Sequence, residues 1–120
     1  MSIEHLRARL PEYAKDIRLN LSSIVSTPEG MTEQQPWGTL LVSAIAARNA
    51  EVRGAIAAEA ATHLSETALA AARGAATIMA MNNVYYRSIH LLTNKDYGKM
   101  PARLRMNILA NPGVEKADFE

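Results

Sequence analysis

Glu59, His63 and Glu66 stand four and three residues apart. A carboxylate–imidazole–carboxylate set on one helical face can hold a divalent metal. That requires one helix to carry all three. Ser65 has the residue type of an N-cap, so a new helix starting there breaks the register of Glu66. Glu59 and His63 then read as an ion pair near a helix C-terminus, where a cationic imidazole is favoured. The run Asn82-Asn83-Val84-Tyr85-Tyr86-Arg87 gathers amides, phenols and a guanidinium, groups that can stack on bases or hold an anion. On a helix the simpler reading is an interface or core face with hydrogen-bonded polar tips. His90, three residues after Arg87, reads as structural. Arg103 and Arg105, on opposite sides of Leu104, read as a solvated helix. Gly74 after Arg73 is a lone glycine in mid-helix and marks a close helix contact rather than a phosphate loop. There is no Gly-rich phosphate loop, HExxH motif or nucleophile elbow. With no cysteine, the sequence forms no disulfide, thiolate nucleophile or zinc–sulfur site of its own.

The totals narrow the classes further. A length of 120 residues suits one domain or most of one. A formal charge of +1, with basic residues scattered among acids, gives no electrostatic reason for a nucleic-acid or membrane-surface partner. The N-terminus lacks the apolar run of a signal peptide, and no stretch is long and apolar enough to span a bilayer. A cytoplasmic protein is expected. Asn20-Leu21-Ser22 matches a glycosylation triplet that has no meaning without secretion.

The elements that position these residues are expected to be helices throughout. Twenty-one alanines and the lack of a long alternating run argue for an all-α fold of about six helices. Ser2 caps a short helix ending before Pro11. Tyr13, Ile17, Leu21 and Ile24 recur at helical spacing over residues 12–25, and residues 26–30 form a loop. Thr32 and Gln35 have the capping-box form ahead of a helix ending near Arg48, with Trp37, Leu40, Leu41, Ala44 and Ile45 on one face. Asn49 caps the next helix, with Val52, Ile56, Ala60 and Leu64 on one stripe. Ser65 caps a long one running past Tyr86 to a break at 93–98. Pro101 opens a helix over 102–110, which Asn111-Pro112-Gly113 closes. Asp118 is read as the N-cap of a last helix, with Phe119 and Glu120 in its first turn. Surplus Ala, Met and Tyr on several faces suggests apolar surface that meets another subunit or further chain.

Three stretches, LPEYAKDIRLNLSSI (10–24), AATIMAMNNVYYR (75–87) and LRMNILANPGVEKADFE (104–120), together resemble the alkylhydroperoxidase D family of the carboxymuconolactone decarboxylase-like superfamily. Trp37 through Leu41 and Glu59 through Ser65 fit the same pattern. The resemblance runs through the whole chain in order. It implies an all-helical, internally duplicated fold of which residues 1–120 are the N-terminal two thirds, a single helical domain. The family's Cys-x-His-Cys motif would lie beyond Glu120. In the duplicated alignment Leu41 through Ile45 match the segment before that motif. Arg48 and Glu51 then take the places of its cysteines, where neither does thiol chemistry.

The resemblance implies an antioxidant alkyl hydroperoxide reductase. In that family a thiolate attacks the peroxide and becomes a sulfenic acid, and a second thiol closes a disulfide. The lipoyl group of a partner acyltransferase reduces the disulfide by exchange, with a peroxiredoxin as a further partner. No tightly bound cofactor is implied. A homo-oligomer, a trimer or a multiple of one, is. Glu120 falls at the family's proton-relay carboxylate and is the one relay member in this sequence; 1–120 alone is expected to be inactive. Two other readings stand beside this one: a cysteine-free assembly or partner-binding module, and a lyase on small lactones, from which MNNVYYR and NPGVEKADFE point away.

Overall fold

The chain is described by a computed structural model covering residues 1–26 and 28–120. Thr27, within the expected loop 26–30, lies outside the described residues. Among the described residues seven α-helices follow one another: α1 (Ile3–Ala8), α2 (Lys15–Val25), α3 (Gln34–Ala46), α4 (Ala50–Ala60), α5 (Glu66–Leu91), α6 (Asp96–Lys99) and α7 (Lys116–Phe119). Single 3-10 turns sit at Glu12–Ala14 and Asn107–Leu109, and no strand occurs among the described residues. The all-α expectation holds.

Three helix starts follow from local chemistry. Ser2 accepts a hydrogen bond from the His5 N–H, Asn49 from Val52 and Ser65 from Ala68, each at 3.0–3.1 Å. Each supplies one of the donors that a helix N-terminus leaves free. The start of α3 departs from expectation. Its N-cap is Glu33, and Thr32 makes no side-chain cap. Half of the capping box survives, since the Thr32 N–H donates to Gln35 Oε1 at 3.3 Å.

α3 is the central element. It packs on α4 and α5, and α1 covers α4 from the other side. The core is Ile3, Trp37, Leu40, Leu41, Ala44, Ile56, Ala60, Leu64, Ala68, Leu69 and Ala72. Large residues from α3 meet alanines of α4 and α5, so the backbones come close and each alanine buries little area of its own. Only the first half of α5 contributes. Its buried residues end at Ala76, and beyond them Val84 is 65% exposed. The helix expected over residues 12–25 is divided into the 3-10 turn and α2, and its apolar face is barely covered: Tyr13 is 94% exposed, and Ile17 and Ile24 are open as well.

The expected helix over 102–110 is corrected. Residues 101–106 form no regular helix or strand, and a single 3-10 turn follows. Ala102, Leu104, Met106 and Ile108 are half-buried, while Arg103, Arg105 and Asn107 are exposed. Alternation by two is the signature of extended chain, and Arg103 has a positive φ of 53° that stops a helix there. This strap runs back along α5. Asn82 Nδ2 lies 3.4 Å from Met106 Sδ. Ile108 sits so close over Gly74 that a Cβ there would meet its Cδ1 at 2.1 Å. The close contact expected at Gly74 is therefore with the strap and not with a helix. Gly113, at φ 86°, lies against Thr67. The strap ends at α7, beside the first half of α5.

Candidate functional site

α7 also begins earlier than the sequence suggests. Glu115 is its N-cap, and Asp118 is inside it. Glu120, five residues after that cap, thus lies beyond the first turn of α7, which corrects that expectation. Asp118 has a different task. Its Oδ2 accepts from Gln34 Nε2 at 2.9 Å and its Oδ1 from Gln35 Nε2 at 2.8 Å. A carboxylate only accepts, so both amides turn their NH2 groups toward it. The pair ties α7 to the first turn of α3.

Between α3, α5 and α7 lies a cleft of about 230 Å³. Its floor is small and apolar, made of Leu64, Ala68, Ala71, Ala72 and Ala75, with Val42 and Phe119 on the walls. Gln34, Thr39, Ser43, Asp118 and Glu120 provide polar groups around it. The Glu120 backbone N–H is bonded to the Lys116 carbonyl at 3.0 Å, and its Oε1 lies 3.5 Å from Lys116 Nζ. The arrangement places a carboxylate capable of taking a proton beside an apolar hollow.

The other candidates are distributed elsewhere. Glu59 accepts from the Ile3 N–H at 3.3 Å and so joins α4 to the start of α1. His63 stacks flat on Trp37, ring centroids 4.1 Å apart, and donates its Nδ1–H to Glu33 Oε1 at 2.6 Å. Glu66 opens α5, exposed. These three residues do not converge, and no group of metal-ligating side chains forms among the described residues. Tyr85 and Tyr86 meet edge to face at 5.1 Å, with Arg87 and His90 exposed beside the outer half of α5. Arg103 and Arg105 project from the strap, which corrects their placement on a helix. Arg48, at φ 58°, makes the corner between α3 and α4, and Glu51 pairs with Arg9. The grip of Gln34 and Gln35 on Asp118 was missed. It spans 84 and 83 residues, and contacts at that separation leave no local pattern to read.

No family model matches the chain. Full-length similarity to curated proteins is strong. The alkyl hydroperoxide reductase AhpD of Rhodopseudomonas palustris is 63% identical over all 120 residues. The proteins of that name from Rhodospirillum centenum and Brucella anthropi are 58% and 56% identical over the same span. The chain spans 66%, 64% and 68% of the length of these three relatives.

Proposed function

This chain belongs to the alkyl hydroperoxide reductase AhpD family, and on that premise we propose that it is the helical scaffold and relay carboxylate of a thiol-dependent alkyl hydroperoxide reductase. The observation that carries the reading is the 56–63% identity, over every residue of the chain, to proteins of that name. The sequence has no cysteine, so the reacting thiols come from outside residues 1–120.

In this reading a thiolate attacks one oxygen of an organic peroxide. The O–O bond breaks, the alcohol leaves with a proton, and the sulfur becomes a sulfenic acid. A second thiol displaces water and closes a disulfide, which the dithiol of a lipoyl-bearing protein reduces. Glu120 takes the thiol proton and passes it on. Its place at the rim of an apolar cleft supports that role, since the other carboxylate of the lining, Asp118, is engaged by Gln34 and Gln35.

The test compares two proteins. One is the 120-residue chain; the other is the chain joined to the last third of the Rhodopseudomonas palustris relative. Peroxide consumption with dihydrolipoamide is expected only from the second, and Glu120→Gln is expected to slow it at least tenfold. Turnover by the 120-residue chain alone, or none by the joined protein, would overturn the reading. The second outcome would favour the runner-up, a non-catalytic assembly module, which the open apolar faces of α2 and α5 also suit.

A further inference from the structure

We propose that Asp118 is a positioning residue of the relay: held by Gln34 and Gln35, it fixes where Glu120 stands at the cleft. The inference rests on the relay role given to Glu120 above. α7 begins without a side-chain cap, so its contacts with other elements set its angle. On α7 only Asp118 and Phe119 are even half-buried. Phe119 gives area, which is non-directional. Asp118 gives direction, because two charge-assisted hydrogen bonds to two different side chains fix both the distance and the rotation of the turn. Glu120 is two residues further on, so a rotation of α7 moves its carboxylate directly.

The clamp is itself braced. Gln35 Oε1 is taken by the Thr32 N–H at 3.3 Å, and the Gln35 carbonyl accepts from Thr39 Oγ1 at 2.8 Å. Gln35 must therefore keep its NH2 toward Asp118. Gln34 makes no second side-chain bond among the described residues, so its amide is free to turn over. This difference sorts the variants. Asp118→Asn keeps an acceptor for Gln35 and offers an NH2 to the reversed Gln34. Asp118→Ala loses both bonds.

The experiment measures turnover and the amide exchange of residues 116–120, both in the joined protein. Asp118→Ala is expected to lower kcat on the order of tenfold at nearly unchanged peroxide KM, because a small misplacement of a catalytic group is costly. Its α7 amides should exchange faster. Asp118→Asn should restore most of kcat, which a residue acting through its charge would not allow. The Gln34→Ala, Gln35→Ala pair should match Asp118→Ala, and adding Asp118→Ala to that pair should cost nothing more. The inference is overturned if Asp118→Ala loosens α7 while kcat holds, or if Asp118→Asn is as slow as Asp118→Ala. If Glu120→Gln turns over normally, the relay reading falls first, and the inference falls with it. The exchange result would then describe only a strut.

Discussion

Gly74 shows how much one missing methyl group can decide. A Cβ there would sit 2.1 Å from Ile108 Cδ1, so the strap would have to move. Alanine is the better helix former by about 1 kcal/mol, but overpacking costs about 1–3 kcal/mol. Gly74→Ala is therefore expected to destabilise the protein by about 1 kcal/mol in urea unfolding. In an Ile108→Ala background the clash is gone and the same change should stabilise by about that amount. No reversal of sign would mean that the strap does not rest on Gly74. His63 offers a contrast between two contacts of one ring. Its pair with Glu33 is open to water, with 32% and 60% of the two side chains exposed. Solvent screens such a pair, and Glu33→Gln should cost less than about 1 kcal/mol. Trp37, stacked on the face of the ring, is 3% exposed. Trp37→Ala should cost about 3–5 kcal/mol, enough to leave little cooperative unfolding transition. At this scale the sequence was well read wherever the signal is local. Ser2, Asn49 and Ser65 cap as expected because each acts on a donor three residues ahead. Asp118 was misread for the same reason: a good N-cap residue type was taken for a cap, while its partners lie more than eighty residues away.

Among the elements, α5 has two characters. Its first half, through Ala76, is core. Its second half carries Met79, Val84, Tyr86 and Leu91 largely exposed and is accompanied by α6 and the strap. Twenty-six residues make a rod of about 39 Å, longer than the core it serves. Hydrogen exchange is expected to be slowest over residues 68–76 and clearly faster beyond Val84, since local opening there exposes little new apolar surface. Equal protection along the whole helix would show that a partner covers the outer half. The strap was the element the sequence reading got wrong. Pro101 and Ala102 suggested a helix start, and those cues outweighed the alternation of Ala102, Leu104, Met106 and Ile108 with Arg103, Arg105 and Asn107. The period of two was present. It marked a chain lying on a helix and not a strand in a sheet, a use for which alternation is seldom considered.

Taken whole, the molecule exposes more surface than its mass requires. Its accessible area is 8520 Å², against about 6,400 Å² for a folded monomer of 13.1 kDa. Its radius of gyration is 17.1 Å, against about 14 Å for a compact chain of this length. The difference of about 2,100 Å² exceeds the ~800 Å² that a standard interface takes from one partner. Sedimentation at rising concentration is therefore expected to show species heavier than 13.1 kDa, and alanine in place of Val84, Tyr86 and Leu91 to shift the distribution toward the single chain. A monomer at every concentration would assign the covering surface to chain outside residues 1–120 or to a different protein. Composition had pointed here, through Ala, Met and Tyr in excess of what the helices could bury, although no residue pattern named the faces.

The grip of Gln34 and Gln35 on Asp118 also sets an order in time. Gln34 leaves the ribosome 84 residues before Asp118, which at about 5–20 residues per second is on the order of ten seconds. Helices form in microseconds, so α3, α4 and the first half of α5 can close their core long before α7 exists. Throughout that interval the amides of α3 hold no carboxylate and the cleft has two sides. A chain interrupted between Ala76 and Asp118 would keep its core and present that open edge to whatever is nearby. The turn that completes the cleft is made long after the core it leans on.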